Sequence, residues 1–178
     1  MLTRREITAA GAAFALALAG CVDGGFEDAR ESVLGTEERG TIVGTYDDGV
    51  ERLDAATRRR DEGTVAFNDE RLDDALETFD RSLAAYADAA ESFREAESMA
   101  DDAAVPPATA ICAEAAVHAE TMRESTEAAR RAAAADDAGE PADVINDNVE
   151  AAQELQTEAE RSRVADAEEL LDVLEAEE

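Results

Sequence analysis

The chain of 178 residues contains no lysine and no tryptophan, one histidine (His118), two cysteines (Cys21 and Cys112) and three prolines. A carboxylate-bridged di-iron bundle needs two Glu-x-x-His pairs, and a single histidine excludes it; Glu114 and His118 are in any case four apart. Closely spaced Cys and His ligands for zinc, a Cys-x-x-Cys-His haem attachment and a glycine-rich phosphate loop after a strand are all absent. A Ser-His-acid triad would have to recruit His118. That residue falls on an apolar helical stripe between Ala115 and Met122, the setting of a packed histidine bonded to a neighbour such as Glu114. The apolar run from Ile7 to Gly20 is 14 residues long, short of the roughly 20 that cross a bilayer.

What is abundant is acid. Asp and Glu number 45 against 16 basic residues, all arginine, for a net charge of −29. Ordinary solubility needs a magnitude of only about 2–8. Such an excess repels itself in dilute buffer, whereas at about 1 M salt the Debye length shrinks to about 3 Å and most of the repulsion is screened. The acidic surface therefore reads as solvation in salt. Nucleic-acid binding is disfavoured, because phosphate contacts need a positive face. Leu, Ile, Val and Phe total 32, while alanine alone numbers 41. Alanine favours helix but buries little area, so readily formed helices with a thin core are expected.

The N-terminus opens Thr3-Arg4-Arg5-Glu6-Ile7, continues through an alanine-rich apolar stretch and closes Leu18-Ala19-Gly20-Cys21. A charged start, a short apolar middle and a small-residue end form the layout of a secretory signal. Arg4 and Arg5 resemble a twin-arginine export signal, and Leu-Ala-Gly-Cys resembles a lipobox. With the lysine-free acidic composition, the whole chain resembles small twin-arginine lipoproteins of haloarchaea. The resemblance implies a signal peptide over 1–20, cleavage before Cys21, lipid attachment at Cys21 and residence on the extracytoplasmic face of the cell membrane. That class is defined by export and composition, so it lends no catalytic residue. Lipid on Cys21 would also leave Cys112 without a disulfide partner.

The large residues fall on helical stripes. One runs Val43, Tyr46, Val50, Leu53, Thr57, Arg60, Thr64, Phe67; a second runs Leu72, Leu76, Phe79, Leu83, Tyr86, Ala90, Phe93. A third runs Ala108, Ile111, Ala115, His118, Met122, Ser125, Ala129, and a looser fourth runs from Ile145 through Leu155 and Ala159 to Leu174. Breaks at Asn68-Asp69, Val105-Pro106-Pro107 and Gly139-Glu140-Pro141 separate segments at about 41–68, 70–103, 107–138 and 142–176. The expected fold is all-α: an antiparallel up-down-up-down four-helix bundle of long Ala-rich helices. Residues 21–40, with Gly24-Gly25, Gly35 and Gly40, read as a flexible tether, with Phe26 to Leu34 able to form one short amphipathic helix.

Three features bear on function. Met99, Cys112, His118 and Met122 supply donors suited to copper(I), although Cys112 and His118 are six apart and point to different helix faces. Arg58-Arg59-Arg60 is the one basic triplet, with Arg60 on the inward stripe, where pairing with a carboxylate is expected. Gly63, Ala75, Phe79 and Ser82 resemble a single tetratricopeptide-like hairpin at about 56–89, without a second copy. The reading that joins these is a non-catalytic helical binding or scaffolding module with no cofactor. Its partners would be the membrane, through Cys21, and a protein at the cell surface, met by helix faces or by the bundle ends near Asn68-Asp69-Glu70 and Asp136-Asp137. The alternatives are a small-ligand or soft-metal carrier using the bundle interior, and a tetratricopeptide-like peptide binder.

Overall fold

A computed structural model describes residues 35–176. Arg4, Arg5, Cys21 and the short helix expected over Phe26 to Leu34 lie outside the described residues. The described chain is all-helical, with no strand among the described residues: α1 Thr36–Asn68, α2 Leu72–Asp102, α3 Pro106–Asp137, α4 Ala142–Ala159 and α5 Ala167–Ala176.

Helix α1 starts at Thr36 and not at 41. Glu38 reaches back to accept the Gly35 N–H at 3.1 Å. Glu37 and Glu38 also put negative charge in the first turn, where the helix dipole favours it. The end of the expected tether is thereby drawn into helix. α1 then runs unbroken through Gly49 and Gly63. A Cβ on Gly49 would stand 2.7 Å from the Phe93 ring, and one on Gly63 would stand 2.8 Å from the Phe79 ring. Each glycine is thus a socket for an aromatic ring of α2. Glycine in a helix interior costs about 1 kcal/mol relative to alanine, and burial of the two rings offsets it. Between the sockets the Ser82 hydroxyl donates to Ala56 O at 2.8 Å. The buried stripe of α1 is Ile42, Tyr46, Gly49, Leu53, Ala56, Arg60, Gly63, Ala66. At four steps it departs by one residue from the larger side chains Val43, Val50, Thr57 and Thr64, because α2 supplies the bulk.

The pairs Gly49–Phe93 and Gly63–Phe79 make α1 and α2 antiparallel. Arg94–Glu120 and Arg130–Asp80 do the same for α2 and α3. Ser125–Ala152 and His118–Ala159 do so for α3 and α4. Helices α1, α2 and α3 all stop in one way. A residue in left-handed conformation, Glu70 (φ 58°), Ala104 (φ 58°) or Gly139 (φ 69°), lets the next N–H reach back. Arg71 bonds Ala66 O, Val105 bonds Ala100 O and Glu140 bonds Ala135 O, at 2.9–3.0 Å. This is the Schellman arrangement, and only the third stop uses the glycine that favours it.

The fourth segment is two helices, not one over 142–176. α4 ends at Ala159, and Asp166 caps a new start by accepting the Glu169 N–H at 2.8 Å. The Tyr46 hydroxyl pins the break by donating to Ala165 O at 2.9 Å. α5 buries Leu170 and Leu174 in the main core and packs against α1 and α3. Among the described helices, α3 is the one whose Cα atoms come within 8 Å of those of α4, so no Cα of α4 comes that near α1. α5 thus closes on α1, and α4 does not.

Candidate functional site

The soft-donor residues are placed first. Cys112 is fully buried in the main core, Met122 is buried there, and Met99 packs against its edge. Burial, with a smaller contribution from the Glu97 carboxylate, pushes the Cys112 thiol up to about 12. It therefore stays protonated, whereas a metal takes the thiolate. His118 is half-buried, and its bond goes to α4, not to Glu114: Nδ1 lies 3.0 Å from Ala159 O, to which it donates. Ser162 Oγ stands 3.1 Å from the same nitrogen. Desolvation lowers the His118 pKa against the opposing pull of those two bonds. Among the described residues no group of three or more His, Cys, Asp or Glu is placed to hold a metal ion.

The buried core divides into two apolar clusters, and a polar level lies between them. On α1, Arg60 falls between Ala56 of the main cluster and Ala66 of the smaller one. On α2, Ser82 falls between Phe79 and Ala85; on α3, Ser125 and Thr126 fall between Met122 and Ala133. Among the described residues, four of the five buried polar ones belong to this level, so it is a layer and not scatter.

Arg60 is its centre. Its neighbours Arg58 and Arg59 are exposed, while Arg60 is 7% exposed. Nη2 donates to Gln156 Oε1 at 2.7 Å and to Ser125 Oγ at 3.4 Å. Ser125 has oriented its own proton toward Ala152 O at 2.7 Å, which frees its lone pairs for the guanidinium. Gln156 is oriented likewise, its Nε2 donating to Glu160 Oε1 at 2.8 Å. The carboxylate expected beside Arg60 is only Asp61, 3.7 Å from Nη1 and itself largely exposed. Nε is buried with no hydrogen-bond partner. A guanidinium cannot shed its charge on burial, and removing it from water costs several kcal/mol unless close acceptors surround it. Here the set of acceptors is incomplete.

The seam left open by α4 leads to this cation. A cleft of about 350 Å³ is walled by Phe67, Phe79, Val149 and Ala152, with Arg60 and Gln156 among its lining residues. Asp61, Thr64, Asn68 and Gln153 complete its polar side, and a few polar groups facing apolar walls suit a small ligand, at the small end of the usual size range. Several other arginines are paired on the surface, as Arg71 is with Asp69 and Asp74 and Arg81 with Glu77. At Asn68-Asp69-Glu70, Asp69 is the residue so paired, and Asn68 lines the cleft. Arg60 was legible as inward-facing. Gln156 was missed because it stands one residue off the apolar stripe through Leu155.

The tetratricopeptide-like positions have a local explanation: Gly63 receives Phe79, and Ser82 bonds α1. α1 alone has 33 residues, nearly the length of a whole repeat of about 34. Among the described residues no helix is long and apolar enough to cross a membrane. No protein-family model matches the chain, and neither a curated protein nor a solved structure matches it.

Proposed function

We propose that the protein is a non-catalytic helical binding module, an up-down-up-down bundle whose α1/α4 seam is held open as its binding site. The observation that carries this reading is the buried, incompletely satisfied Arg60 on a cleft lined half by apolar and half by polar residues. The leader and composition support its setting: export by the twin-arginine route, lipid at Cys21, and work on the extracytoplasmic face of the membrane in a salty medium. One lipid chain anchors only marginally, so the attachment would be a two-chain lipid.

The binding claim is tested with a photoreactive residue at Val149, which lines the cleft, and a control at the exposed Val117. Irradiation in native high-salt membranes should yield discrete adducts by mass spectrometry from position 149 alone; equal labelling at both positions, or none at 149, counts against the cleft. Cys21→Ser should move the protein from the membrane to the soluble fraction. The salt argument is checked by dialysis from about 1 M to about 0.01 M salt, where the Debye length grows from about 3 to about 30 Å. Helical circular dichroism should fall, and full retention would refute that account of the charge.

A further inference from the structure

We infer that the cleft binds a small organic monocarboxylate, with its carboxylate on Arg60 and its apolar body against Phe67, Phe79 and Val149; this rests on the reading of the cleft as the binding site. A guanidinium has five N–H donors. In this structure Nη2 is used by Gln156 and Ser125, Nη1 meets only Asp61 at 3.7 Å, and Nε meets nothing. A carboxylate offers two oxygens in the spacing that a guanidinium edge accepts, so one that displaces the Gln156 amide oxygen from Nη2 would take the Nε–Nη2 edge with two parallel bonds.

Charge narrows the class. One cation neutralises one negative charge, and Asp61 stands at the same cleft in a chain of net charge −29. A dianion such as phosphate would meet that field with a second, uncompensated charge. Shape narrows it further. Two phenyl rings, a valine and three alanines make up half of the lining, and they favour a short alkyl or aromatic body by burial of apolar area, which an inorganic ion does not offer. The volume of about 350 Å³ accommodates acids of a few carbons.

Gln156 shows where the ligand oxygen sits. Its amide oxygen is 2.7 Å from Nη2, a neutral acceptor occupying part of the space on the guanidinium that an anion would hold. It comes from α4, whose Cα atoms stay beyond 8 Å from α1, so its side chain can turn aside without disturbing that seam's backbone. Gln156→Glu would place a tethered carboxylate on Arg60 and fill the site from within.

The test is titration calorimetry of the protein in about 1 M salt, where its self-repulsion is screened. Sodium hexanoate and sodium benzoate are the probes, with hexylamine and inorganic phosphate as comparisons. Saturable one-to-one binding of hexanoate or benzoate is expected, with neither comparison binding. Arg60→Met should weaken it roughly tenfold or more, the loss expected for a charge-assisted pair. Gln156→Glu should abolish it while raising the melting temperature. Because Gln156 is half-buried on the least enclosed helix, that variant keeps the test decisive if Arg60→Met does not fold. Failure of the unaltered protein to bind either acid, undiminished affinity in Arg60→Met, or a preference for phosphate would overturn the inference. If both acids fail while the photoreactive group at 149 still gives its discrete adduct, the ligand class falls and the cleft stands. If both experiments fail, the binding-site reading falls with it.

Discussion

Helix α1 has two seams built in opposite ways. Toward α2 its backbone is bared at Gly49 and Gly63, and the rings of Phe93 and Phe79 fill the gaps. Toward α4 the same helix presents a buried cation, and its neighbours there are Gln156 and the wall of a cleft. The aromatic side chains of the described helices sit on α1 and α2, and α4 brings none. In a chain this poor in large apolar residues, bulk concentrated on one seam leaves the opposite one thin. The closed seam holds the fold, and the open one is where we propose that binding occurs.

The largest test of that contrast is truncation on each side. Phe93 is fully buried and meets Tyr46 with ring centroids 5.1 Å apart. Phe93→Ala should cost about 3–5 kcal/mol in chemical denaturation, whereas Val149→Ala, at a half-buried site, should cost less than about 1 kcal/mol. Equal losses would erase the distinction between the seams. A smaller effect is expected at the sockets. Gly63→Ala gains about 1 kcal/mol of helix propensity but forces the Phe79 ring to shift, an overpacking cost of about 1–3 kcal/mol. The net should be a modest loss that Phe79→Leu partly relieves in a double-mutant cycle.

A third test uses pH. His118 ties the last residue of α4 to α3, and its pKa is lowered mainly by desolvation. A folded pKa below the unfolded value of about 6.5 means that the unfolded chain takes up the proton first. The stability from His118 is present above about pH 6.5 and is lost as the pH falls from there through the folded value. Melting temperature should therefore drop between about pH 7.5 and 5.5, above the main carboxylate range, and His118→Gln should flatten that slope. The smallest effect is at the cation itself. Replacing a poorly paired buried charge by an apolar side chain of similar length is often neutral or stabilising. Arg60→Met should leave thermal stability unchanged or slightly higher while removing the site.

Much of the helical layout was legible because it rests on local chemistry. Pro106-Pro107 and the spacing of Tyr46, Leu53, Phe79, Tyr86 and Phe93 announce it directly. The split of the fourth segment was also written in the chain, since Asp166 with Glu169 three residues later is a helix-start pattern, but the leucines beyond it masked the break. Other features had no local sign. Glu70 and Ala104 take left-handed conformations that their residue types do not advertise. The glycines of α1 become sockets only once α2 brings rings to them. At the site, the inward position of Arg60 followed from helical period alone. Its partners did not, because an amide and a hydroxyl met it where a carboxylate was expected. The opening of the seam depends on how α4 leans on α3, which no local pattern records.

The orphaned Nε–H of Arg60 can be observed directly by nitrogen-15 NMR of the arginine side chains in high salt, assigned by its disappearance in Arg60→Met. If the cleft holds a carboxylate on this cation, titration with hexanoate will shift that one resonance downfield in proton and slow its exchange with water, and the exposed Arg58 and Arg59 will not respond. An Arg60 signal indifferent to hexanoate, or moving only in step with those of Arg58 and Arg59, would contradict the account.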